Sequence, residues 1–138
     1  MRVVLDTNIL ISGLISPKGA PGCLLYALYA DKFTLVSSEE QLSEFRRASR
    51  YPQVASRINR IDAGVVVNAI RDLALMVERL PVVNLSSDPN DDFLLAMAQE
   101  GKAHYLVSGD KSGLLVLGKV GMTKIVTAGE FQAQNLSP

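Results

Sequence analysis

Two aspartates close short apolar runs. Asp6 follows Val3-Val4-Leu5, and Asp110 follows the run that begins Tyr105-Leu106-Val107-Ser108. Three further acids stand out by position. Asp91 and Asp92 sit where a polar loop gives way to a helical pattern, and Glu44 lies between Leu42 and Phe45, one helical turn after Glu40. Each has a plain reading: Asp6 as helix cap, Asp91 and Asp92 as an N-cap pair, Asp110 as turn former, Glu44 as a surface partner of Arg47. Their chemistry becomes specific only if they meet. Gathered carboxylates repel one another, and their pKa values rise unless cations neutralise them. Hard oxygen donors, in a chain with a single histidine and a single cysteine, suit magnesium or manganese rather than zinc or copper. Metals held by such a set polarise a water and stabilise the attacking and leaving oxygens of a phosphodiester displacement.

The elements that must position these acids are read from periodicity and punctuation. The β-branched run Val3 to Leu5 predicts a buried parallel strand, and Asp6-Thr7-Asn8 supplies capping residues ahead of the apolar segment Ile9 to Ile15. A turn at 16–19 leads to a helix over Ala20 to Ala30 and a strand over Phe33 to Val36. Ser38 with Gln41 predicts a capping box opening a helix that carries Glu44 and fades before Tyr51-Pro52. Arg57 to Arg60 reads as a helical connection. Asp62 is expected to cap a long helix through about Glu78, with Val65, Val66, Ala69, Ile70, Leu73 and Val77 at helical spacing. Then follow a brief strand at Pro81 to Val83, a loop from Ser86 to Asp92, a helix from Phe93 to Gln99 ended by Gly101, and a strand over Tyr105 to Ser108. A short helix at Leu114 to Leu117, a strand at Lys124 to Val126 and a Thr127-capped turn near Gly129 to Ala133 complete the chain. Strands separated by helices predict an α/β fold: a central parallel sheet flanked by helices on both faces, formed by one domain over 1–138. Ligands of such sheets sit beyond the strand carboxyl ends, where Asp6 and Asp110 are placed.

Composition narrows the classes. Basic and acidic side chains number 14 each, which argues against a broad basic surface for unspecific nucleic-acid binding but leaves room for a small metal-neutralised site. One cysteine allows no internal disulfide and, with one histidine, no zinc cluster. Cys23 is expected in the core and His104 in a structural role. The chain shows no signal-peptide layout, and no apolar run approaches the ~20 residues of a membrane span, so a soluble cytoplasmic protein with no membrane partner is expected.

Four segments together resemble the PIN-domain family. Leu5-Asp6-Thr7-Asn8 resembles its opening signature, and 38–45, Ser-Glu-Glu-Gln-Leu-Ser-Glu-Phe, its second segment with the glutamate at Glu44. Asp88 to Ala98 is similar to the third, where an Asp opens a helix with small residues on its buried face. Tyr105 to Lys111 resembles the fourth, a strand ending in Thr or Ser and then Asp. The likeness is nearest to the VapC-like branch, metal-dependent ribonucleases of toxin–antitoxin pairs that are usually homodimeric and held inactive by a cognate antitoxin. It implies a PIN-like fold, a single-stranded RNA substrate, and Asp6, Glu44, Asp91 and Asp110 as catalytic metal-binding carboxylates. Asn8 and Ser108 would support them. The small residues Ala96 and Ala98 favour Asp91 in the third segment, with Asp92 as the alternative that shares the role. Ser108-Gly109-Asp110 departs from the Thr-Arg-Asp of many toxins and lacks an arginine that would meet phosphate.

Other readings compete. A PIN-like module that binds RNA or protein without cutting would be distinguished by carboxylates that do not converge on shared metal-binding distance. An aspartate-nucleophile phosphotransferase needs an acid two residues after Asp6, where Asn8 stands. A nucleotide-binding module lacks its glycine-rich phosphate loop after the first strand. Arg46, Arg47 and Arg50 are either a helix end whose cations favour the C-terminal dipole or a patch that contacts phosphate. The valines of the long helix serve either the core or a dimer surface.

Overall fold

The computed structural model describes residues 1–86 and 88–136. Its frame is a six-stranded sheet in the order β3-β2-β1-β4-β6-β5. The strands are β1 (Arg2–Leu5), β2 (Thr34–Ser37), β3 (Leu75–Met76), β4 (Tyr105–Val107), β5 (Lys119–Val120) and β6 (Thr123–Val126). All pairings are parallel except β5 with β6. The helices are α1 (Thr7–Ile15), α2 (Ala20–Tyr29), α3 (Glu39–Ser49), α4 (Pro52–Ala55), α5 (Arg60–Leu73), α6 (Pro89–Glu100), α7 (Leu114–Leu117) and α8 (Ala128–Phe131), the last running into a π-helical turn at Gln132–Leu136.

Alternation along the central strands divides the core between the two faces of the sheet. Val3, Leu5, Leu35 and Val107 face one cluster, packed against Leu10, Leu24, Leu28, Phe45, Ile70 and Phe131. Val4, Val36, Leu106 and Ile125 face the other, against Leu94, Leu95, Met97 and Leu114. Both faces being covered is what allows the runs Val3 to Leu5 in β1 and Tyr105 to Val107 in β4 to be apolar without alternation, the usual sequence of a buried parallel strand. The mixed α/β fold with helices on both faces agrees with the sequence reading.

The connectivity locates the site. From β1 the chain winds outward through β2 to β3, then returns to the opposite flank of β1 with β4 and continues to β6. The winding direction reverses between β1 and β4, where Leu5 pairs with Val107. A crevice opens at the carboxyl edge of a parallel sheet at such a reversal, because the two crossover connections leave in opposite directions.

Several expected boundaries are corrected. The long helix starts with Asn59, not Asp62, as its cap: the Asn59 side chain accepts from the Ile61 amide at 2.7 Å. It ends at Leu73 rather than near Glu78, because Leu75 and Met76 leave it to pair with Val36 and Ser37. The open backbone edge of β2 outcompetes helical propensity there, and Val77, whose amide donates to the Ser37 carbonyl at 2.8 Å, is buried from extended backbone. Pro81 to Val83 forms no strand. Arg57 to Arg60, expected as a helical connection, holds a turn and the first residue of α5, and the short α4 opened by Pro52 ends before it at Ala55. The α6 helix begins at Pro89, so Asp91 and Asp92 lie in its first turn rather than in a loop; Ser87 of that expected loop lies outside the described residues. The β5 strand was not expected. It is made by a tight turn at Gly121, where φ is 57°, a conformation glycine adopts without steric cost. Cys23 is half-buried rather than a core residue.

Among the described residues no single helix is long and apolar enough to cross a membrane. The apolar α1 and α2 are bent by 101° relative to one another and bury Leu10, Leu24 and Leu28 completely.

Candidate metal centre at the strand carboxyl ends

Asp6 leaves the end of β1 and is also the N-cap of α1. Its Oδ1 accepts the amide of Asn8 at 3.2 Å, and its own amide donates to the Val107 carbonyl at 2.9 Å. Its Oδ2 accepts the Ser108 hydroxyl at 2.9 Å. The capping role and a site role are therefore compatible in one side chain, which is 6% exposed. Burial pushes the Asp6 carboxyl above its ordinary range; the Asn8 amide and the Ser108 hydroxyl pull it back, and the nearby Asp110 charge pushes it up again.

Ser108 joins the two strand-end acids. While its hydroxyl donates to Asp6, its oxygen accepts the Asp110 amide at 3.1 Å. Asp110 Oδ1 accepts the amides of Ser112 and Gly113 at 3.2 and 3.0 Å, and the Ser112 hydroxyl at 3.2 Å. One carboxylate oxygen thus anchors the turn. Gly113 makes room for this, since a Cβ there would collide with Asp110 Oδ2.

Of the two adjacent acids on α6, Asp92 is committed locally: its Oδ1 accepts the Ser86 amide at 2.9 Å. Asp91 faces the other carboxylates. Its carboxyl is pushed up to about 6 by burial first, then by the charges of Asp6, Asp88, Asp110 and Glu44. Its Oδ2 is buried with no hydrogen-bond partner among the described residues. Glu44 reaches this cluster from α3, half-buried, and makes no ion pair with Arg47; among the described residues the only ion pair joins Arg71 to Glu39. Asn8 contributes its backbone amide, while its side chain is exposed.

Three residues escaped the sequence reading. Gln41 was expected to cap α3 reciprocally with Ser38. The Ser38 hydroxyl does accept the Gln41 amide at 3.2 Å, but the Gln41 side chain turns inward. Its Nε2 donates to the Leu5 carbonyl at 2.6 Å, and its Oε1 accepts the Ser37 hydroxyl at 2.6 Å. Ser38 in turn donates to the Met97 sulfur at 3.0 Å. The helix carrying Glu44 is thereby fastened to the strand that ends in Asp6 and to the helix that carries Asp91. Thr7 is the third, with a buried hydroxyl that lacks a partner among the described residues. An uncharged Gln in an otherwise regular capping pattern carries no mark of burial, so only the packing could reveal it.

The donor chemistry fits a hard divalent cation. Every candidate is a carboxylate oxygen, Asp91 Oδ2 is an orphaned buried acceptor among the described residues, and the Asp91 and Asp6 carboxyls are raised by burial first and by neighbouring negative charge after it. Among the described residues no three of these side chains stand close enough to share one ion.

A family model described as PIN domain matches residues 2–112. The chain belongs to the PIN-domain family. The matched range holds all four segments that resemble PIN motifs and stops just beyond Asp110. Over 114 residues this PIN domain is 29% identical to an uncharacterized protein of Methanocaldococcus jannaschii, an alignment covering 80% of the chain and 72% of that protein. No solved structure matches it significantly. PIN domains are generally nucleases that use divalent metals, which accords with an oxygen-only acidic cluster at the sheet edge.

Proposed function

We propose that this PIN domain is a magnesium- or manganese-dependent endoribonuclease that cleaves single-stranded RNA. The observation that carries the proposal is the Asp91 carboxyl, half-buried, with one orphaned oxygen, under the charges of Asp6, Asp110 and Glu44. Asp6, Glu44, Asp91 and Asp110 would hold the metal, which when bound polarises water and offsets charge on the phosphodiester. The chain's own contribution is positional. Ser108 and the Asn8 amide hold both oxygens of Asp6, the Ser112–Gly113 turn holds one oxygen of Asp110, and Gln41 sets α3 against β1. No histidine stands in the cluster to serve as a base, since His104 Nδ1 accepts the Arg2 amide at 3.0 Å.

The VapC-like resemblance extends the proposal to the toxin of a toxin–antitoxin pair, acting as a cytoplasmic homodimer restrained by an antitoxin. The Ser-Gly-Asp segment at 108–110 weighs against that extension more than against the nuclease. A competing reading is a PIN module that binds RNA or protein without cutting, favoured by the absence of a ready three-carboxylate cage among the described residues.

The test is cleavage of labelled single-stranded RNA with magnesium, with manganese and with excess chelator, the Asp6→Asn variant beside the native protein. Metal-dependent cutting that disappears in the variant is expected. Well-folded protein that cuts no RNA with either metal would leave the binding module in its place.

A further inference from the structure

Between Phe45 and Ile61 the chain has no acidic residue, yet it carries Arg46, Arg47, Arg50, Arg57 and Arg60, in a protein whose charges balance overall at 14 of each sign. The fold turns this run into a groove. Arg50 and Arg60 line a cleft of about 500 Å³ between the end of α3, α4 and the start of α5, floored by Ala55, Ile58 and Ala63. It continues through Arg50 and Ala63 into a second cleft of about 280 Å³ lined by Arg46 and Asn68. Arg46, Arg50 and Arg60 are exposed, and none of them forms an ion pair among the described residues. Tyr51, 51% exposed, stands in the middle of the run.

Unpaired like charges clustered on one surface repel, so the cluster costs stability unless an anion meets it. Arginine rather than lysine at every position suits an oxyanion approached by a planar two-pronged donor. An exposed aromatic among arginines adds a face on which a base stacks. Both features favour a nucleic-acid strand over an acidic peptide, which has no bases to occupy Tyr51. The groove shares α3 with Glu44, and Arg50 lies ~9 Å further along that helix. We infer that the groove formed by Arg46, Arg50 and Arg60, together with the exposed Tyr51 that follows Arg50 in the chain, binds the backbone of the single-stranded RNA outside the acidic centre. The inference rests on the ribonuclease reading for its ligand. It also answers how an acidic site in a neutral protein attracts a polyanion: the groove supplies the local positive potential.

The test is binding of a fluorescently labelled single-stranded RNA of mixed sequence by the full chain in excess chelator, so that affinity is read apart from cutting. Substituting Arg50→Gln together with Arg60→Gln is expected to weaken binding roughly tenfold and to lower the slope of log affinity against log salt by about 1.4. Both side chains are exposed, and a thermal melt matching the native protein confirms the fold. Removing the same charge from the β5–β6 edge, Lys119→Gln with Lys124→Gln, is expected to leave affinity unchanged. Tyr51→Ala is expected to weaken binding with the salt slope intact, and Tyr51→Phe to restore it. Unchanged affinity and slope in the arginine variant would overturn the inference, as would an equal loss in the lysine variant. Loss of polyglutamate binding with RNA binding intact would overturn it in favour of an acidic protein. A native protein that cuts no RNA but whose RNA binding depends on Arg50 and Arg60 would end the nuclease reading and leave the groove standing.

Discussion

The Ser108 hydroxyl donates to Asp6 Oδ2 at 2.9 Å while its oxygen accepts the Asp110 amide at 3.1 Å, so one side chain couples acids 104 positions apart in sequence. The coupling is possible because β1 and β4 are parallel neighbours that end at the same level, Leu5 beside Val107. Ser108→Ala should therefore leave the fold intact, cost ~1 kcal/mol, and reduce cleavage by roughly tenfold or more. Asp6 loses a hydrogen bond that favours its charged form, so its carboxyl should titrate at still higher pH. Carbon-detected NMR titration of the Asp6 carboxyl, compared with native protein, checks this; an unmoved titration would disconnect Ser108 from Asp6.

Asp91 and Asp92 are neighbours with different surroundings, and their variants should separate. Asp91→Asn is expected to abolish cleavage with little loss of stability, because it removes a repelled charge. Asp92→Asn is expected to retain most activity but weaken the hold on the Ser86 amide, at a cost of ~1 kcal/mol. Parallel rate and chemical-denaturation measurements decide, and the reverse pattern would exchange the two assignments.

The raised carboxyls predict a pH dependence of stability in metal-free protein. Asp91 titrates near 6 in the folded chain against an ordinary 3.8, and Asp6 is also raised. Between those values the folded state binds more protons than the unfolded state, so stability falls as pH rises through the interval and levels off above it. Melting temperature in chelator should decline from about pH 4 to about pH 7. Asp91→Asn should flatten part of the decline, and added magnesium or manganese should reverse it near neutrality by binding the folded form. A melting temperature that rises across this range in the metal-free native protein would contradict the account.

Gln41 is fully buried and both ends of its amide are engaged. Replacing it by Leu keeps the bulk but leaves the Leu5 carbonyl and the Ser37 hydroxyl without partners, a cost of ~1–3 kcal/mol. Because the Leu5 carbonyl immediately precedes Asp6, and Gln41 lies one turn before Glu44, the surviving folded protein should also lose metal affinity. Isothermal titration with manganese at a temperature where the variant is fully folded measures this. Undiminished affinity would reduce Gln41 to a packing role.

Much of the frame was legible because it is local. The apolar runs at Val3 to Leu5 and Tyr105 to Val107 can be satisfied only by burial on both faces of a sheet, and alternation with helical periods makes that sheet parallel. Asp6 and Asp110 are placed at its carboxyl edge by chain order alone. The nonlocal decisions were not legible. Leu75 to Val77 fits a helix by spacing, and its extended form depends on the vacant hydrogen-bonding edge of β2, which no window of sequence contains. The choice between Asp91 and Asp92 likewise depends on where the first turn of α6 aims each carboxyl: one toward the Ser86 amide, one toward Asp6, Asp110 and Glu44. Residue types and order determined which groups could do chemistry and at which edge of the sheet. Tertiary structure decided which of them feel one another, because Coulomb interaction and hydrogen bonding act over ångströms of space and not over positions along the chain.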